Sequence, residues 1–165
     1  MLTTTPLPAL GKPQAFAVIV WGGLVAGILD AADALVAFGL VGFNPVQVLQ
    51  FISSGAFGGA AAFGGGLLMA GLGMLFHFII AFAVAAVFYV ASRNFPELVK
   101  NYVPAGLLFG AAVYFVMTYL VLPLTALAPS PFSLPLFLNG VIGHAVFVGL
   151  PIAWFAHRSA RAGTA

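Results

Sequence analysis

The chain has 165 residues, 63% of them hydrophobic, and five Lys and Arg with three Asp and Glu supply its formal side-chain charge. A water-soluble domain devotes about a quarter of its residues to charge, so a charged share of 5% and a mean hydropathy of +1.18 exclude a soluble globular surface. The pI near 9.3 rests on a net charge of only +2, which excludes a nucleic-acid surface, and the lack of cysteine excludes disulfides, thiolate nucleophiles and Cys-ligated metals.

These properties predict an all-α integral membrane protein, a single domain over residues 1–165. It has four transmembrane helices in an up-down bundle and a short interfacial helix in the first outer loop. Each span needs roughly 20 apolar residues. The first lies over about 16–40 and carries Asp30 and Asp33. Its length and these two acids set it apart from a cleavable signal peptide, and no clear small-residue cleavage site follows.

After it, Asn44-Pro45 reads as a helix cap with proline at the first helical position. On the helix that follows, Gln47, Gln50 and Ser54 share one face and Val46, Leu49 and Ile52 another, the pattern of a helix lying in the outer interface. Residues 55–66 hold six glycines and a local echo, Ala56-Phe57-Gly58-Gly59 and Ala62-Phe63-Gly64-Gly65. They read as a flexible connector or a glycine-rich start to the second span, with a re-entrant loop as the sharper alternative.

The second span covers about 67–91 and carries His77; Arg93, Glu97 and Lys100 follow it. The third covers about 104–122, with Tyr114 and Thr118. Pro123, Pro129, Pro131 and Pro135 stiffen the loop beyond. The fourth covers about 136–156, with Asn139 and His144, and Arg158 and Arg161 come after it.

All five cations, Lys12, Arg93, Lys100, Arg158 and Arg161, fall on one side of this arrangement, while both opposite loops are uncharged. The positive-inside rule therefore places both termini in the cytoplasm. The Ala/Gly-rich composition, without sorting or lipidation motifs, points to a multi-pass protein of a bacterial inner membrane. There is faint internal symmetry: Ala26-Gly27-Ile28-Leu29 is echoed by Ala105-Gly106-Leu107-Leu108, and Gly73-x-x-x-His77 by Gly140-x-x-x-His144.

Counting depth along the helices brings Asp30, Asp33, His77, Tyr114, Thr118 and His144 to one layer in the outer half. Asp30, His77, Tyr114, Thr118 and His144 lie on faces with small residues that mark helix contacts. Acids and imidazoles inside a membrane are costly, so such a layer is a candidate proton or ion site. Two imidazoles at one depth also suit a metal, or a haem or chlorophyll-type tetrapyrrole ligated by His77 and His144. A structural Asp–His clamp with no ligand is the third reading. No hydrolase motif, zinc motif or phosphate loop is present, so the chain is not read as an enzyme. Four short helices make a thin wall around any pathway, which points to a homo-oligomer or a subunit of a larger membrane complex.

Pro123-Leu124, Leu127, Pro129, Phe132, Leu134-Pro135 and Gly143-His144, with His77 followed eighteen residues later by Phe95-Pro96, form a pattern over about residues 73–150. In this pattern the chain resembles the YagU family of small bacterial inner-membrane proteins. The resemblance implies a four-helix membrane protein and carries no settled activity. Asp30 and Asp33 stand outside it.

Overall fold

The computed structural model describes residues 13–127 and 131–162. Lys12 and Pro129, which entered the charge and loop arguments, lie outside them. Four long apolar helices, long enough to cross a membrane, form the body: α1 (Ala17–Leu40), α4 (Gly66–Asn94), α6 (Tyr102–Leu124) and α7 (Leu134–Ala162). Each predicted span falls within one of them, to within a residue. Three short helices join them: α2 (Pro45–Phe57), α3 (Gly59–Gly64) and α5 (Pro96–Lys100). Among the described residues there is no strand.

The packing is that of a membrane bundle, with small residues inside and large ones outside. Ala26, Ala85, Ala153, Ala156 and Ala160 are fully buried, whereas Leu40, Leu67 and Leu108 are 85%, 76% and 73% exposed. Lipid tails solvate leucine as well as a core does, so helix association depends on close backbone approach and polar contacts. Glycine supplies that approach. A Cβ on Gly110 would run into the His144 carbonyl, and one on Gly149 into the Gly106 carbonyl, so α6 and α7 meet backbone to backbone. On α1, Gly23 and Gly27 receive Phe82 and Phe78 of α4, and Gly22 receives Ile152 of α7.

Helix α1 thus lies between α4 and α7, and α7 separates it from α6. The apolar core sits toward the end that bears the charged loop, where Val18, Phe88, Val148 and Ile152 pack together and Phe88 meets Phe109 edge-on at 5.0 Å.

Three stretches depart from α-helical winding into wider π turns: Ala17–Gly22 in α1, Met117–Val121 in α6 and His144–Gly149 in α7. Two of them have a sequence cause. Pro123 and Pro151 each lack an N–H and push against the carbonyl four residues back, Tyr119 and Phe147, and a widened turn absorbs that clash.

The short helix expected in the first outer loop is present, capped reciprocally by Asn44 and Gln47, each accepting from the other's backbone N–H at 3.0 Å. Its buried face, however, holds Gln50, Ser53 and Ser54. Gln50 donates to the Gly66 carbonyl at 3.0 Å, and the two serines donate to carbonyls of their own helix. Gly73 of α4 lets the α2 backbone approach at the Leu49 carbonyl, and Ala126 N–H donates to Gly55 O at 2.9 Å. So α2 is packed on α4 and pinned to the second outer loop, its polar groups turned to protein. Residues 55–66 continue helical into α4, interrupted at Gly58 and Gly65; Gly58 and Gly66 take φ of +77° and +59°, which only glycine adopts at low cost.

Candidate functional site

The polar residues of the spans gather where α1 faces α7. Asp30 and Asp33, three residues apart, lie on one face of α1. Asp30 is near the middle of that helix, about 2 Å to the outer side by helical rise, and Asp33 is one turn further out. Opposite them α7 presents Asn139, Gly143 and His144.

Asn139 Nδ2 donates to Asp33 Oδ2 at 2.8 Å. Gly143 makes room for this pair, since a Cβ there would stand 2.6 Å from Asp33 Oδ2. Asp33 is thereby anchored to α7 by an interhelical hydrogen bond.

Asp30 is held differently. Its Oδ1 lies 3.7 Å from His144 Nδ1, with the two side chains 20% and 24% exposed. That separation suits an ion pair but exceeds a hydrogen bond. His144 Nδ1 itself is buried without a hydrogen-bond partner, an unusual condition for a ring nitrogen, which normally has one. The first residue of the widened turn is His144, so the turn sets where its ring stands against Asp30. Tyr114 of α6 closes the other side, its ring edge-on to the imidazole at 5.6 Å and pressed against Gly140.

The remaining candidates separate from this group. His77 reaches α1 from the α4 side and binds the Gly27 carbonyl through Nε2 at 2.8 Å. A carbonyl only accepts, so Nε2 carries the proton in this contact. The two histidines thus engage neighbouring turns of α1, one through backbone and one through a carboxylate. Thr118 lies one turn beyond Tyr114, half-buried in the α6 π turn, and among the described residues makes no hydrogen bond to the cluster.

The sequence places Asn139 in the membrane but gives no reason to pair it with Asp33. The available signal was its spacing: Asn139 and Gly143 are four apart, with His144 directly after Gly143, which puts them on the face that turns to α1. Pro151, seven residues after His144, was the signal for the widened turn.

Chemically, the cluster offers two carboxylates and one imidazole in a region of low dielectric. With both acids ionised and His144 protonated, one negative charge is still uncompensated, and a proton or a monovalent cation would balance it. Among the described residues no three His, Asp or Glu side chains converge to hold a metal ion. Comparison with protein-family models, curated proteins and solved structures finds no match to this chain.

Proposed function

We propose that this multi-pass membrane protein handles protons at the Asp30–His144 pair, with Asp33, Asn139 and Tyr114 positioning it. The observation that carries the reading is the buried Nδ1 of His144, unpartnered and 3.7 Å from Asp30. A shift of well under 1 Å brings the two into hydrogen-bond range, so a proton can pass between imidazole and carboxylate without rebuilding the bundle. A monovalent cation is the alternative cargo for the same charge balance. The protein acts in a bacterial inner membrane with its Arg93–Lys100 side in the cytoplasm, without enzymatic turnover, as a homo-oligomer or within a larger complex. The proline-histidine pattern shared with the YagU family belongs to this proposal and adds no activity to it.

Tetrapyrrole ligation by His77 and His144 has less support. His77 Nε2 donates to Gly27, so its lone pair is not on that nitrogen, and His144 Nδ1 faces Asp30 inside the bundle.

The test is proton entry into liposomes that hold the purified protein and a trapped pH dye, driven by a potassium diffusion potential. Wild type should acidify the lumen faster than protein-free liposomes, and Asp30→Asn and His144→Gln should each abolish the difference. Flux equal to protein-free liposomes under both proton and sodium gradients, with thermal stability lowered in both variants, would make the pair a structural clamp. A Soret band in the purified protein would favour the tetrapyrrole reading instead.

A further inference from the structure

Below the Asp–His layer lies a feature that the proton reading does not use. A groove runs along α7 between α1 and α6, lined chiefly by Val25, Val103, Val146, Leu150, Tyr102 and Trp154, with a volume of about 440 Å³. Apart from the Tyr102 hydroxyl and the Trp154 indole, its lining side chains are wholly apolar. In hydrocarbon such a groove fills with a chain, because an empty wall forfeits its dispersion contacts. Its mouth is different in character. Tyr102 stacks on His157 at 4.6 Å, and the guanidinium of Arg158 lies 5.2 Å from the centre of the Trp154 ring. Arg158 is exposed, and the cation–π contact holds its planar fork beside the groove. Other cations at this end have their own partners: Lys100 faces Glu97 at 4.0 Å, and Arg93 donates to the Tyr89 hydroxyl at 3.0 Å.

We propose that this groove binds one anionic phospholipid, with an acyl chain along Val25, Val146 and Leu150 and the phosphate on Arg158. Charge complementarity decides the occupant. A zwitterionic lipid or a second apolar helix would fill the groove equally well but would give the preorganised guanidinium no net anion to bind, whereas a phosphate with an uncompensated charge accepts its fork. The site would tie α6 and α7 to α1 at Val25, five residues before Asp30, and it stands whether or not the cluster moves protons.

Two tryptophans make the test direct, because Trp21→Phe leaves Trp154 as the only indole. That protein is reconstituted in phosphatidylcholine vesicles in which either dibrominated phosphatidylcholine or dibrominated phosphatidylglycerol replaces a rising share of the lipid. Bromine on the chains quenches an indole in contact with them. The glycerol lipid should quench Trp154 at the lower mole fraction. Arg158→Gln should reduce that preference about fivefold, the worth of one cation at a membrane surface, and Arg93→Gln should leave it intact. Equal quenching by the two lipids would overturn the site. So would an unchanged preference in Arg158→Gln, or an equal loss in Arg93→Gln, which would assign the effect to diffuse surface charge. Protection of Trp154 from both lipids would show that a second copy covers the groove.

Discussion

Asp33 and Asp30 illustrate how two like residues one turn apart acquire different roles from what faces them. Asp33 meets an amide and a glycine, Asp30 an imidazole just out of hydrogen-bond reach. A double-mutant cycle of Asn139→Leu and Asp33→Leu should therefore return a coupling of about 0.6–1.7 kcal/mol, the range for hydrogen bonds between membrane helices. Steric trapping or thermal unfolding in detergent reads it, and a coupling of zero would mean the bond contributes nothing. The glycines sort in the same way. Gly110→Ala drives a methyl into the backbone of His144, which has no flexible end to yield, so a loss of about 1–3 kcal/mol is expected from overpacking. Gly71 has open space around its Cβ position, and Gly71→Ala should cost nothing measurable in the same assay.

The elements carry two surprises that single residues explain only in combination. Helix α2 turns its polar face inward, where the Gly66 carbonyl accepts from Gln50 and the two serines bond carbonyls of α2 itself. Ser53 is fully buried as a result. A cysteine at Ser53 should resist a membrane-impermeant maleimide, and adding Gly73→Ala, which blocks the approach of Leu49, should make it react. Reactivity without that second change would show that α2 leaves α4 freely. The widened turn at His144–Gly149 is the second. With Pro151→Ala the missing N–H returns and the turn can close to α-helical winding, which rotates His144 relative to Asp30. Proton entry should fall in this variant while thermal stability holds or rises. Unchanged flux would mean that the register of the turn does not set the pair.

At the scale of the whole molecule, Arg93, Lys100, Arg158 and Arg161 all belong to the end formed by α5 and the last turns of α4 and α7. The proposed orientation, by positive-inside sorting, puts that end in the cytoplasm. A cysteine at the exposed Phe132 should react with an impermeant reagent from the periplasm, and one at Asn94 only after the membrane is opened. The reverse pattern would invert the topology and place the lipid groove in the outer leaflet.

The four spans, to within a few residues, and the Asn44 cap were legible in the sequence. Each follows from a local rule: apolar length against membrane thickness, and a capping side chain just before a proline at the first helical position. What remained open was every choice between partners. Small-residue stripes mark which faces approach a neighbour but not which neighbour, so His77 and His144 could as well have met each other as separate turns of α1. The pairing of Asp33 with Asn139, the orphaned nitrogen of His144, the inward polar face of α2 and the groove beside Trp154 all depend on contacts between residues distant in the chain, 106 positions apart for Asp33 and Asn139. Those contacts were decided by the tertiary structure, because helices of nearly uniform apolarity carry no hydrophobic preference for one neighbour over another, and glycine-scale shape and single polar groups make the choice.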